Sequence, residues 1–270
     1  MAFKNAHFNY DQEFFLDGCQ LSGVVSIDGG YSIDESPINI IGKGHTFPVR
    51  QGSLVGNFNI SKYYIGEEKL LDYTGDQPIS GSINYGDSSF GFLSGFLTEY
   101  SLSAGIGQIP TANASIVVYG DIGEGLKDQG NLAHPPIQIP NQGSILLDVH
   151  GFNTNRVSSF DYSIRINREP IYKVSEPFPV QVHTDFPIYQ ELNVSIDIDN
   201  YEVPKISSYL ESPIMKDVEI SLSNPINDQL IESITIKNAR LLSQSIQSSS
   251  NESLKLQLSY KGYINRSDRI

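Results

Sequence analysis

The sequence is poor in several residue types, and each shortage excludes a class of structure. Cys19 is the only cysteine among 270 residues, so an intrachain disulfide and a thiolate metal cluster are both excluded. Tryptophan is absent, which weakens any hypothesis of sugar binding by aromatic stacking. No stretch approaches the roughly 20 apolar residues that a membrane-spanning helix needs. We therefore expect a fold without covalent cross-links and without a membrane span.

Basic residues are also scarce. The chain has 18 Lys and Arg against 31 Asp and Glu, which gives a formal net charge of −13. Nucleic-acid binding by phosphate neutralisation needs clustered Lys and Arg, so we expect no such binding over the surface as a whole. The first residues lack the basic segment and apolar core of a secretory signal, which leads us to expect synthesis and retention in a reducing cytoplasm.

Alternation of apolar and polar residues with period two is abundant. Three segments show it most clearly, namely 52–61, 193–200 and 253–264. Such alternation is typical of half-buried antiparallel strands. Turn signals separate the apolar segments at short intervals, among them DGG at 28–30 and YGDSS at 85–89. The pattern predicts an all-β fold of the sandwich or barrel type.

Helical pattern is confined to two short segments. The first is 66–73, with two acidic residues in its first turn, and the second is 205–212, which follows Pro204. Both are too short to be stable without packing against a sheet. We therefore expect at most one short helix in each domain.

The composition changes near the middle of the chain. All glycines except Gly262 lie at or before Gly151, and the segment 133–143 carries three prolines. A Pro-rich segment is extended and cannot join a central strand. We therefore predict two tandem β-sandwich or barrel domains, arranged as follows: first domain 1–132, Pro-rich linker 133–145, second domain 146–270.

The two halves also share short matches in the same order. The matched pairs are Tyr31-Ser32-Ile33 with Tyr162-Ser163-Ile164, Pro37-Ile38 with Pro170-Ile171, and Asn57-Phe58-Asn59-Ile60 with Asn193-Val194-Ser195-Ile196. We interpret them as a tandem duplication of a unit the size of a small domain. Two unrelated β domains, or one larger domain, are the alternatives.

The sequence contains no signature of an enzyme. Gly105 and Gly107 begin like a dinucleotide fingerprint, but Pro110 occupies the position of the third glycine, and a strand pattern follows instead of a helix. We expect these glycines to let a strand bend or bulge, and Pro110 to end its pairing. Asp197, Asp199 and Glu202 form the tightest acidic group, but they fit no calcium loop. The histidines are scattered and form no metal-binding pair: His7, His45, His134, His150 and His183.

We accordingly predict no catalytic, cofactor-binding or metal-binding residue, no cofactor, and no enzymatic activity. A hydrolase whose active site leaves no local signature is the remaining enzyme hypothesis, since a Ser-His-Asp triad need not be contiguous in sequence.

The segment from Tyr100 to Ser115 reads Y-S-L-S-x-G-I-G-x-I-P-T-A-x-A-S. It resembles segments of bacteriophage tail tube (major tail) proteins, and the resemblance is strongest over 80–122. The corresponding segment of the second half, 238–254, lacks both the double glycine and the proline-threonine. The two hairpins are therefore not equivalent in every detail.

The resemblance implies a structural virion protein that forms a tail tube by ring assembly and stacking. The sheets of neighbouring subunits would join into one inner barrel, and DNA would pass through it during ejection without specific binding. A duplicated chain would favour trimeric rings with pseudo-sixfold symmetry, with hexamers as the alternative. The implied location is the virion tail, assembled in the host cytoplasm together with other tail proteins, and the implied inner wall is acidic.

Two alternative functions stay open at this point. The first is a tail hub or tube-capping protein of the same fold. The second is a two-domain carbohydrate-binding or adhesion β-sandwich, for which Tyr63 and Tyr64 are the candidate stacking platform.

Overall fold

The structure is a computed structural model. It describes residues 12–33, 35–39, 42, 46–50, 54–66, 68–127, 145–149, 152–174, 176–198, 216–224, 229–248 and 254–266. These residues form seventeen β-strands and one short 3-10 helix, so the predicted all-β class is confirmed. The predicted linker 133–145 lies outside the described residues except for Ile145, which is already the first residue of a strand.

The strands are numbered in chain order. Their bounds are β1 Gln12–Leu16, β2 Cys19–Gln20, β3 Val24–Ser32, β4 Glu35–Asn39, β5 Thr46–Arg50, β6 Val55–Tyr63, β7 Ile79–Tyr85, β8 Ser88–Gly105, β9 Thr111–Val118, β10 Ile122–Glu124, β11 Ile145–Val149, β12 Phe152–Thr154, β13 Val157–Ile171, β14 Gln181–Asp197, β15 Lys216–Ser223, β16 Leu230–Gln247 and β17 Lys255–Ile264. Strands β4 and β5 form a separate hairpin, and the other fifteen belong to one antiparallel sheet.

Strand β8 connects two parts of the sheet in the first half, because it is long enough to pair with strands of both. Its first part, residues 88–95, pairs with β7, and the sheet continues through β1 to β2. Its second part, residues 95–103, pairs with β9, and the sheet continues through β6 to β3. The ring centroids of Phe58 in β6 and Phe92 in β8 lie 4.6 Å apart, so the two parts pack face to face around a shared core.

The second half repeats this order of pairing. Strand β16 has the place of β8: its first part pairs with β15, which leads through β11 to β12, and its second part pairs with β17, which leads through β14 to β13. In the first half the same path runs through β7, β1 and β2 on one side and through β9, β6 and β3 on the other. The seven strands on each path therefore correspond, while β4, β5 and β10 of the first half lie outside the path.

Irregularities in the ladders fix this correspondence residue by residue. A register shift, the sign of a β-bulge, occurs at equivalent places in three strand pairs of each half. The equivalent shifts are Val24/Ser26 with Val157/Ser159, Ile79/Gly81 with Lys216/Val218, and Leu97/Glu99 with Leu241/Ser243.

The correspondence corrects the sequence match between the halves. The match chose the right strands for two of its three pairs, since β3 corresponds to β13 and β6 corresponds to β14, whereas its third pair set Pro37-Ile38 of β4 beside Pro170-Ile171 of β13. Its register was wrong by two residues, because Asn193 corresponds to Asn59 rather than to Asn57, and Tyr162 corresponds to Gly29 rather than to Tyr31. A slip of two residues leaves every side chain on its proper face, so the alternation of the sequence cannot reveal it.

The predicted turn at 28–30 was wrong, because these residues lie inside β3. A Cβ atom on Gly29 would stand 2.5 Å from the ring of Phe58, which is fully buried. The glycine at 29 therefore makes room for a core aromatic on the neighbouring strand instead of forming a turn. The predicted turn at 85–89 does join β7 to β8, with Tyr85 opposite Ser88.

The predicted helix over 66–73 is replaced by a 3-10 helix over Leu70–Thr74. The expected acidic first turn has another role, because the Glu68 carboxylate is buried and binds two donors. The Lys62 ammonium lies 3.2 Å from both of its oxygens, and the amide of Leu70 donates to Oε1 at 3.1 Å. The carboxylate thus orders the chain ahead of the helix, while the second predicted helix, 205–212, lies outside the described residues.

Arg168 of β13 ties this segment to the second half. Its Nε donates to the carbonyl oxygen of Leu97 at 2.9 Å, and its Nη1 donates to that of Gly75 at 2.8 Å. Nη1 also lies 3.6 Å from Oδ1 of Asp76, which accepts a hydrogen bond from the amide of Thr184 at 3.2 Å. One side chain of the second half therefore holds two segments of the first.

Candidate assembly interface

Strands β8 and β13 join the two halves by direct main-chain pairing. Residues 99–105 of β8 pair with residues 159–165 of β13 in antiparallel register. Just after β8, the amide of Ile106 donates a hydrogen bond to the carbonyl oxygen of Ser158 at 2.9 Å. We call this contact the internal joint, because it carries the sheet without a break from one half into the other.

Large side chains fill one face of the internal joint. Tyr100 and Leu102 of β8 are fully buried, and Phe160, Tyr162 and Ile164 of β13 are at most 3% exposed. Burial raises the pKa of Tyr100, and the nearby Glu68 carboxylate raises it further; burial also raises the pKa of Tyr162 to about 12. Both phenols are neutral at physiological pH, so the joint behaves as core.

The counterparts of β8 and β13 are β16 and β3, and each of these strands keeps an unpaired edge. Among the described residues, β3 pairs only with β6, and residues 240–247 of β16 pair only with β17. An unpaired strand edge presents a row of main-chain donors and acceptors to any complementary strand. We refer to these two as the β3 edge and the β16 edge.

The two edges expose positions that the internal joint buries. Ile246 on the β16 edge corresponds to Leu102, and it is 51% exposed where Leu102 is fully buried. Tyr31 on the β3 edge corresponds to Ile164, and it is 50% exposed where Ile164 is 2% exposed. The two edges therefore expose positions whose counterparts in the internal joint are buried.

The opposite face of the same sheet is polar over both halves. Its neutral hydroxyl and amide side chains stand in cross-strand rows: Asn57, Asn59, Ser61, Ser101, Ser103, Asn113, Ser115, Ser159, Ser163, Asn193, Ser195, Ser243, Ser245, Gln257 and Ser259. We call this surface the polar face.

Charges on the polar face are sparse and partly paired. Nε of Arg165 lies 3.5 Å from Oε1 of Glu99, and Nζ of Lys261 lies 3.5 Å from Oε1 of Glu191. Asp161 stands in a shallow depression lined by serines, and partial burial raises the pKa of its carboxyl. The face is therefore mainly neutral, with neither a basic cluster nor a dense acidic one among its described residues.

The GIG segment connects two strands, as predicted. Strand β8 ends at Gly105, β9 begins at Thr111, and Gly107 has a φ of +72° in the turn between them. The expected bulge at Gly105 was wrong, because this residue pairs regularly with β13, and the bulge of β8 lies between Leu97 and Glu99.

The other candidate residues come together nowhere in the described part of the chain. Cys19 lies half-buried on β2 with its Sγ 3.9 Å from Nζ of Lys69, while His183 and Asp197 lie on β14. Asp199 and the remaining histidines fall outside the described residues. Where side chains are described, no three His, Cys, Asp or Glu residues cluster as metal ligands would. No described helix has the length and apolar character to cross a membrane.

The proposed sugar-stacking platform is not formed. Tyr63 is 42% exposed, but its neighbour Tyr64 is fully buried, because adjacent strand residues point to opposite faces. A stacking surface made of these two side chains is therefore excluded.

Comparison of the chain with models of known protein families finds no matching family, and comparison with curated proteins finds no match. The two unpaired edges are therefore the features of the chain from which a function can be inferred.

Sequence reasoning missed the β16 edge. Its residues 243–247 read Ser-Gln-Ser-Ile-Gln, so the stretch holds one apolar side chain and no alternation. The β3 edge was obscured by the Asp28-Gly29-Gly30 turn signal. The one signal that could have found both edges is the repeat itself, aligned in the register that the bulges define.

Proposed function

We propose that this chain is a structural subunit that joins copies of itself edge to edge, and that it builds rings of the phage tail tube type. The observation that carries this proposal is the internal joint. Because its two strands have counterparts with unpaired edges, the β3 edge of one copy is complementary to the β16 edge of another. A head-to-tail contact of this kind generates a closed ring or a helical filament.

The composition of the two edges favours the addition of another strand, because it lacks the residues that usually prevent such addition. Natural edge strands are commonly blunted by proline or by charged side chains, lysine above all. Strand β3 contains neither proline nor lysine, and its only charged residue is Asp28; residues 241–247 of β16 carry no charge. Neither edge therefore has the usual features that prevent strand addition.

The duplication bears on the number of copies in a ring. Each chain supplies two sheet units, so a ring of three chains contains six joints, of which three are internal. We propose this trimer with pseudo-sixfold symmetry, and a hexamer of chains is the alternative. Either ring would have a wall built from the long strands of both halves.

The polar face supports a channel wall in this proposal. Hydroxyl and amide groups without a basic cluster give phosphates no counterion-releasing contact, so DNA would pass without being held. The wall would be mainly neutral rather than acidic, and the net charge of −13 would then lie largely elsewhere on the chain. The assembled subunit would belong to the virion tail, in contact with other tail proteins.

The test is the assembly state of the purified chain. Sedimentation and negative-stain microscopy should show rings or tubes whose mass is a multiple of 29.9 kDa. Gly30→Lys or Ser245→Lys would place a charge on one edge and should leave monomers. Asn113→Lys places the same charge on the polar face of β9, away from both edges, and should assemble normally. A chain that stays monomeric at every concentration would refute the proposal.

A tail hub or tube-capping protein of the same fold would use the same edges. The two roles differ in copy number per virion, because a tube needs many rings and a hub or cap needs one. Quantitative mass spectrometry of purified particles separates them.

A further inference from the structure

A cleft opens beside the β3 edge, where the core of the first half is left uncovered among the described residues. Its volume is about 450 Å³, and its walls include Phe14, Gln20, Leu21, Val24, Ile27 and Ile83. Strands β1 and β7 supply one side of the cleft, and β3 supplies the other. The lining is mixed, because Gln12, Glu13 and Ser26 stand beside these apolar side chains. A cleft of this size at an unpaired sheet edge is a site for a side chain from outside.

Two buried acceptors on the two edges lack hydrogen bonds. Gln20 lines the cleft, and its Oε1 accepts none from any described residue; the same holds for Oε1 of Gln244 on the β16 edge. A buried polar atom without a partner costs about 1–3 kcal/mol. Among the described residues both oxygens are therefore unfavourable, and a donor from a second copy would relieve each of them.

The internal joint gives the register in which a second copy would supply those donors. Ala104 pairs with Phe160 and Tyr100 with Ile164. The corresponding intermolecular pairs are Ser248 with Ile27, at the cleft, and Gln244 with Tyr31. A hydroxyl thus stands near each unpaired oxygen, that of Ser248 near Gln20 and that of Tyr31 near Gln244.

We propose that the cleft is a socket for the β16 edge of a neighbouring copy, with Ile246 entering it and the Ser248 and Tyr31 hydroxyls donating to Gln20 and Gln244. This inference rests on the proposed function, and it adds the register and the residues that select the partner. Ile246 stands opposite Gly29, diagonal to Ile27, so its half-exposed side chain reaches the uncovered core. The occupant is a second copy of this chain.

Disulfide trapping tests the register. In a Cys19→Ala background, Gly30→Cys and Ser245→Cys stand directly opposite each other in the proposed joint, at a Cα separation of about 5 Å that a disulfide spans. A Cβ atom on Gly30 meets no other atom within 4 Å. The control pair, Gly30→Cys with Ser243→Cys, is about 7–8 Å apart and should not close. Oxidation should give covalent multimers from the first pair alone.

Apolar substitution tests the socket. Ile246→Ala removes buried methylene groups and should weaken association about 30-fold at each joint. Leu242→Ala is the matched control, because Leu242 is 59% exposed on the same strand but lies in the bulge, before the paired residues begin. Its association should be unchanged.

The outcomes separate the two proposals. Association that Ile246→Ala leaves unchanged, or cross-linking through the 30/243 pair, would overturn the socket and its register while leaving edge-to-edge assembly intact. Absence of assembly in the unsubstituted chain would overturn both.

Discussion

Replacing Arg168 should destabilise the whole chain, because this side chain connects the halves. Its guanidinium is 1% exposed and donates to the carbonyl oxygens of Leu97 and Gly75. Arg168→Met keeps an apolar stem but removes every donor, together with the guanidinium whose carbon lies 5.7 Å from the centroid of the Phe96 ring. Both carbonyl oxygens would then lose a charged donor inside the protein.

The magnitude follows from those contacts. A hydrogen bond from a charged donor contributes about 1.5–3 kcal/mol, and the loss is dominated by the two short bonds to main-chain oxygens. The bonds to the carbonyls of Tyr73 and Thr74 are 3.5 Å long, and the Thr184 hydroxyl keeps its bond to Asp76. The ion pair with Asp76 adds little, because that carboxylate is 47% exposed and water can solvate it after the substitution. We therefore expect a loss of about 4 kcal/mol in the free energy of unfolding. With a urea dependence of about 2.5 kcal/mol/M, the midpoint falls by about 1.5 M.

Urea unfolding followed by circular dichroism is the assay, and Arg165→Met is the matched control. Arg165 lies on the same strand, but its side chain is 74% exposed and its pairing with Glu99 spans 3.5 Å, so its loss should cost less than about 1 kcal/mol. Arg168→Lys retains the charge with fewer donors and should fall between the two. Equal midpoints for Arg168→Met and Arg165→Met would refute the reasoning.

Two further predictions concern buried polar groups. Lys62→Met leaves the buried Glu68 carboxylate without its counter-ion and should lower the free energy of unfolding in urea by about 3–5 kcal/mol. The double variant Lys62→Met with Glu68→Leu should regain most of the lost stability. A double variant as unstable as the single one would contradict this. The pKa of Tyr162 is about 12 in the folded chain because of burial, against about 10 when unfolded. Its contribution to stability is therefore present below pH 10 and falls by roughly 1.4 kcal/mol per pH unit between pH 10 and 12, since only the unfolded chain releases the proton. Tyr162→Phe should flatten the decline measured by unfolding at pH 9, 10 and 11, and parallel curves for the two proteins would contradict the assignment.

Local pattern predicted several strands of this fold. The alternating segments at 52–61, 193–200 and 253–264 became β6, β14 and β17, with the predicted apolar residues inward. These predictions succeeded because one face of each strand packs on a core and the other does not. The GIG segment was correctly predicted to connect two strands, because a strand pattern follows it.

Features that depend on distant residues were not predictable in this way. Gly29 resembles a turn residue until Phe58 is known to lie against it, and Glu68 resembles a helix-start acid until Lys62 is found beside it. The candidate assembly interface was more difficult to predict, because a strand edge is defined by the absence of a neighbouring strand. Nothing in the composition of 243–247 indicates which neighbours that stretch lacks.

The internal joint also bears on the accuracy of assembly. At the proposed joint between separate copies, few large side chains would penalise a register slip of two residues, because the paired positions include Gly29, Gly30, Ser243 and Ser245. Ile246 is then the main side chain that fixes the register. The seam inside each chain is marked by five large buried side chains, and it forms at the high effective concentration of a tethered pair. In the proposed assembly, the internal joint therefore halves the number of seams at which a misaligned neighbour can be accepted. The internal joint would then have a fixed register in every copy, and register errors would be confined to the joints between copies.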